Sequence, residues 1–158
     1  MKTPKYHTLE EALQKLMRFC TYRERCHKEV KQKLYQLQIQ PEYQDEIIVK
    51  LISEDFLNEE RFAKTFAYDK FNLQKWGRYR IRKELESRQI SGYLIDKALL
   101  QIDEEEYLQT FKNQLEKRLQ SISETHPLKK KRKIVDYLLR KGFESPMVYD
   151  AVNNIDFK

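Results

Sequence analysis

A helical pattern that recurs three times constrains this chain more than any other feature. Its copies are His27–Ile39, Arg78–Ile90 and Lys131–Phe143. Each carries an aliphatic anchor (Val30, Ile81, Ile134), a leucine four residues later (Leu34, Leu85, Leu138), and Ile39, Ile90 or Phe143 nine residues after the anchor. A four-residue step returns to the same face of a helix. The anchors lie 51 and 53 residues apart, and a near-fixed period of that length means a tandem array of small helical units. The expected fold is therefore all-α, an elongated array of three three-helix, helix-turn-helix-like repeats spanning residues 8–56, 57–102 and 103–156. Each repeat is expected to bury its own small core around Leu34, Leu85 or Leu138.

Composition agrees with that organisation. Three Gly and four Pro are too few for an all-β fold with many turns. A hydrophobic content of 40% supplies several small cores better than one large one. No apolar run approaches the length of a bilayer span. The segment from Met1 to Tyr6 has no apolar stretch after its charges, so a secretory signal is not expected there. Cys20 and Cys26 stand six apart on different faces of a helical segment, which disfavours a disulfide. Reduced cysteines point to the cytoplasm.

Start signals mark the first helix of each repeat. Thr8 and Asp103 are capping residues with a carboxylate three positions on, and Asn58 precedes the acids Glu59 and Glu60. For the third helices, Ser145-Pro146 reads as an N-cap followed by proline at the first helical position; Ser91-Gly92 and Gln40-Pro41 are weaker equivalents. Ile48, Ile95 and Val148 match across the copies, as do Ile52, Leu99 and Val152 one turn later.

Charge is segregated onto the repeated helix. Windows 23–33, 75–88 and 129–141 hold 18 of the 31 Lys and Arg but 5 of the 25 Asp and Glu. They carry +13, against −7 for the rest of the chain. A positive strip on one element type follows. On a helical wheel the side chains opposite Ile81 and Leu85 are Trp76, Tyr79, Arg80 and Lys83, flanked by Arg78 and Arg82. The matching outward residues are Arg25 and Lys28 in the first copy, and Lys129, Arg132 and Lys133 in the third. These eleven residues are the candidate partner surface, suited to phosphates, bases or an acidic protein groove. The plain alternative is a solvated face, with Trp76 packed against a neighbouring unit. Gly77 would weaken a helix interior, so close packing or a helix start explains it better.

Other chemistry is poorly supported. Cys20, Cys26 and His27 lack a fourth ligand and suitable spacing for zinc. The acids Asp103 to Glu106 read as helix capping rather than as a cation site. Phosphate-loop, nucleophile-elbow and paired-histidine motifs are missing, so no catalytic residue, metal or cofactor is expected.

The run from Leu57 to Ala63, then Asp69-Lys70-Phe71, Lys75-Trp76-Gly77, Arg80-Ile81 and Glu84-Leu85, resembles the central repeat of the RecX regulators. Arg23 through Leu34 is similar to that family's opening repeat. The family often has Gly after the basic helix; Gly142 fits, whereas Gln38 and Gln89 depart from it. The resemblance implies a tandem three-helix array, a monomer, that enters the groove of the RecA filament on DNA and inhibits strand exchange and ATP hydrolysis. It also implies single- or double-stranded DNA as a further partner. A nucleic-acid-binding helical module acting on DNA without RecA is the alternative.

Overall fold

The structure, a computed structural model, describes residues 6–157. The segment read above as lacking a secretory signal therefore lies, apart from Tyr6, outside the described residues. Among these residues there are nine helices and no strand. The first repeat holds α1 (Leu9–Tyr22), α2 (His27–Gln36) and α3 (Pro41–Ser53). The second holds α4 (Glu59–Gln74), α5 (Arg78–Ser87) and α6 (Gly92–Leu100). The third holds α7 (Glu104–Ser121), α8 (Pro127–Lys141) and α9 (Ser145–Asn153). None of these helices is long and apolar enough to cross a membrane.

The first helices begin where their caps predict. The side chains of Thr8, Asn58 and Asp103 accept hydrogen bonds from the backbone N–H groups of Glu11, Arg61 and Glu106. Each satisfies a donor that the helix itself cannot. At α9 the expectation needs correction. Ser145 is already helical and Glu144 is the N-cap, without a side-chain cap hydrogen bond of its own. The Glu144 carboxylate is occupied elsewhere, by the Tyr107 hydroxyl and Arg78.

The repeated helix ends in the same way three times. Gln38, Gln89 and Gly142 have φ of 56°, 60° and 99°, the left-handed region. One residue further on, the N–H groups of Ile39, Ile90 and Phe143 donate back to the carbonyls of Leu34, Leu85 and Leu138 at 3.1, 3.2 and 3.2 Å. This backbone reversal folds the apolar residue after the turn onto the leucine it follows. It explains why the leucine and the residue five positions later recur together. All six side chains are buried, as are Val30, Ile81 and Ile134.

Two features differ from the expectation of three separate cores with matched third helices. The first repeat does have its own core, built on Leu16, Leu34, Ile47 and Leu51. The second and third repeats share one continuous core. Tyr107 of α7 stacks on Phe71 of α4 at 5.8 Å and packs against Phe143 at 5.6 Å, so aromatic rings cross the boundary between repeats. In α3 the buried positions are Ile47 and Leu51, while Ile52 is exposed, one residue out of the proposed match. Ile47, Ile48, Val49, Leu51 and Ile52 are apolar on nearly every side, so the pattern alone does not select a face.

The surface area is 10,578 Å². A compact 19.4 kDa protein would expose about 8,500 Å². The array is therefore extended rather than folded into one ball.

Cys20 and Cys26 are both free and buried. Burial pushes the Cys20 thiol up to about 11, and burial also raises Cys26. Both thiols are expected to resist an aromatic disulfide reagent at mildly alkaline pH and to react at once in denaturant, which a colorimetric thiol count would check. Replacing a left-handed non-glycine residue tests the repeated helix end. Gln89→Gly should stabilise the fold by about 0.5–1 kcal/mol in chemical denaturation, because glycine bears the positive φ without a Cβ penalty.

Candidate partner-binding interface

Gly77 and Gly142 determine where the basic helices sit. Gly77 is the N-cap of α5 and has no side chain with which to cap it. The donors at this helix start are satisfied from the third repeat. Gly77 N–H donates to the Lys141 carbonyl at 2.8 Å, and Tyr79 N–H to the Gly142 carbonyl at 2.9 Å. Arg78 N–H donates to the Tyr107 hydroxyl at 3.0 Å. The C-terminus of α8 thus caps the N-terminus of α5, with complementary ends of their dipoles together. The approach leaves no room for a Cβ. One built on Gly77 would lie 2.3 Å from the Gly142 carbonyl carbon, and one on Gly142 would lie 2.2 Å from Arg80 Cβ. Gly77 is thus both a helix start and a close-packing site.

The first and second repeats meet in a similar relation through side chains. Lys28 near the start of α2 donates through Nζ to the Ser87 carbonyl at the end of α5, at 2.8 Å. His27 N–H donates to Glu59 of α4, much as Arg78 pairs with Glu104 of α7. Arg61 binds Glu24 at 2.6 Å across the same joint. The three basic helices therefore abut end to end in the order α8, α5, α2.

The structure sorts the eleven sequence candidates into distinct environments. Arg25 does not belong on an outward strip. It precedes α2, is 8% exposed, lies 3.7 Å over the Phe19 ring, and donates to the Phe19 carbonyl and to Glu29. The α1 C-terminus has carbonyls needing donors, and the extended segment before α2 delivers Arg25 to them. Lys28 is committed to the joint just described. Arg78 is also structural: half-buried, stacked 3.8 Å over Tyr107 and paired with Glu104 and Glu144. Arg82 pairs with Asp96 at 2.5 Å.

Trp76 is partly buried and packs edge-on to Phe66 at 6.3 Å, with the Arg80 guanidinium 4.0 Å over its other surroundings. It holds Arg80 rather than offering a free ring to a base. Tyr79 and Lys83 are exposed, with Lys83 Nζ 5.3 Å from the Tyr79 ring centre. Lys129, Arg132 and Lys133 are exposed in the first half of α8, and Lys133 pairs with Glu124 at 3.1 Å. Among the described residues no carboxylate lies within ion-pair distance of Arg80, Lys83, Lys129 or Arg132.

Four cations absent from the sequence candidates also lie near this surface. Lys70 is 4.9 Å from the Trp76 ring, Lys141 donates to the Gln74 carbonyl at 2.8 Å, and Arg140 gives its carbonyl to Arg80. Burial first, and then the charges of Arg80 and Lys117, hold the Lys141 ammonium below the usual lysine range. A lysine immediately before a C-capping glycine was the available sequence signal. No group of three or more His, Cys, Asp or Glu residues that could hold a metal occurs among the described residues.

Three family models match this chain: the first three-helix domain of RecX over residues 12–51, the second over 58–99 and the third over 104–152. Regulatory protein RecX of Oceanobacillus iheyensis is 31% identical over 149 residues, 94% of this chain and 55% of that protein. Its namesake in Listeria monocytogenes is 24% identical over 143 residues, 90% of this chain and 53% of that protein. The chain thus spans about half the length of the curated relatives it matches. A crystal structure of RecX from Lactobacillus salivarius superposes with a TM-score of 0.78 at 25% identity, covering 93% of this chain and 97% of that one. A second RecX crystal structure gives 0.83 at 22% identity, covering 93% of this chain and 73% of the other, and supports the fold.

The Arg25 assignment can be checked. Arg25→Ala should lower stability by about 2 kcal/mol, because Glu29 and the Phe19 carbonyl lose a charged donor. Thermal unfolding by circular dichroism measures the loss.

Proposed function

This chain belongs to the RecX family of regulatory proteins, and from that premise we propose that it binds the RecA filament on DNA and inhibits strand exchange and ATP hydrolysis. The observation that supports this most is the end-to-end run of basic helices. It presents Arg80 and Lys83 on α5, then Lys129, Arg132 and Lys133 on α8, without internal carboxylates neutralising most of them. A filament is itself a repeating partner. An array of modest contacts on an extended body can engage successive subunits, and the linked contacts reinforce one another through effective concentration. The protein acts by binding, as a cytoplasmic monomer, without catalysis or a cofactor.

The partner surface in this proposal is narrower than the sequence strip. Lys83, Lys129, Arg132 and Lys133 face the partner directly, with Tyr79 beside them. Arg80 contributes from its position on Trp76. Arg78, Arg82, Lys28 and Arg25 hold the scaffold.

The deciding assay is RecA ATP hydrolysis on single-stranded DNA, titrated with this protein. Inhibition should persist at salt that removes the protein from bare DNA, because counterion release dominates contacts with phosphates alone. If inhibition and bare-DNA binding vanish together, and no contact with RecA forms by crosslinking, the protein is a DNA-binding module that acts without RecA. The triple reversal Lys83→Glu, Lys129→Glu and Arg132→Glu should raise the concentration for half-inhibition roughly tenfold, since like charges then face the partner. Folding should be nearly unchanged, as all three side chains are exposed.

A further inference from the structure

We infer that Arg80, Lys117 and Lys141 form a phosphate cradle at the seam of the second and third repeats, which takes a phosphodiester of a nucleic-acid backbone. The inference rests on the filament reading above and adds a nucleic-acid contact to it. The three cations come from three helices, α5, α7 and α8, brought together by the Gly77–Gly142 crossing. Their charges gather without compensation: no carboxylate of the described residues lies within ion-pair distance of any of them.

Helix capping accounts for only part of this cluster. Arg80 gives one donor to the Arg140 carbonyl at 3.2 Å, and Lys141 gives one to the Gln74 carbonyl at 2.8 Å. A guanidinium has five donors and an ammonium three, so several remain. Lys117 is exposed and makes no side-chain hydrogen bond. Burial and the charges of Arg80 and Lys117 together work against the charged form of Lys141, and an anion between these groups would relieve that opposition. The rest of the setting restrains the site. Trp76 backs the Arg80 guanidinium at 4.0 Å, and Lys70 adds positive potential from 4.9 Å on the same ring. Donors approaching from three elements suit a tetrahedral oxyanion with oxygens in several directions. A carboxylate offers two oxygens in one plane, matched better by a single fork.

Trp76 is the only tryptophan, so its fluorescence reports on the cradle directly. The full chain is titrated with a labelled thymidine oligonucleotide of about twenty nucleotides, with inorganic phosphate, and with polyglutamate. Both Trp76 emission and oligonucleotide anisotropy are followed. The oligonucleotide should change the emission, and Arg80→Gln with Lys141→Gln should weaken its binding about tenfold at low salt. Loss of two contacts should flatten the slope of log affinity against log salt by about 1.4. Lys117→Gln, at an exposed position with no helix to cap, should weaken binding two- to threefold, roughly the effect of one screened phosphate contact. It decides the matter if the double variant does not fold. Neutralising the exposed Lys15 and Arg18 on α1 should leave the Trp76 response intact.

The cradle is overturned if Lys117→Gln and the folded double variant bind oligonucleotide like the wild type, since the cations then only cap helices. It is also overturned if polyglutamate gives the same emission change and the same losses, which would assign the cluster to an acidic protein. If inorganic phosphate binds as tightly as the oligonucleotide, the ligand is a free phosphate rather than a backbone. RecA ATP hydrolysis measured in parallel separates the two claims. Absence of inhibition by the wild type removes the filament reading whatever the oligonucleotide does. Normal inhibition by variants that bind oligonucleotide unchanged removes the cradle alone.

Discussion

The close crossing of Gly77 and Gly142 is the contact on which the rest of the third repeat's placement depends. An unadorned helix start needs acceptors for its first N–H groups. In α5 those acceptors are the last carbonyls of α8 and the hydroxyl of Tyr107. Backbone can meet backbone this closely only where neither residue has a Cβ. Once the two helix ends are joined, Tyr107 is fixed between Phe71 and Phe143, and two repeats share one core. The same junction brings Arg80 beside the end of α8 and Lys141 beside the end of α4. Stability and cationic surface therefore have one origin here.

The other joint solves the same problem with side chains. Glu59 receives the first N–H of α2, Lys28 reaches the end of α5, and Arg61 binds Glu24. Cys26 enters the core of the second repeat, while the remaining apolar residues of the first repeat pack among themselves. Polar contacts of this kind commit cations that would otherwise face outward. That is why the first repeat contributes little to the proposed partner surface, although its sequence is as basic as the others.

Much of this was legible in the chain. The anchor, leucine and post-turn positions recur because each repeat must reverse direction by the same left-handed step, and the geometry holds even where Gln38 and Gln89 replace glycine. Caps at Thr8, Asn58 and Asp103 were readable because their chemistry is local. The misreadings concern longer range. Arg25 looked outward on an extrapolated helix, but it precedes α2 and folds back onto α1. Ile48 and Ile52 matched by sequence, yet a stretch apolar on all sides does not reveal which face is inward. The shared core was invisible because nothing in a one-dimensional pattern shows Gly77 meeting Gly142. Trp76 showed in sequence as an aromatic among cations, but its role in supporting Arg80 requires knowing which face is covered.

The central claim is that the basic face running along α5 and α8 meets the partner, while α1 and α3 stay free. Hydrogen–deuterium exchange of this protein with and without RecA filaments tests it directly. The account predicts slowed exchange concentrated at the α8–α5 seam and the first half of α8, with α1 and α3 unchanged. Protection confined to α1 and α3, with the seam exchanging as in the free protein, would contradict it.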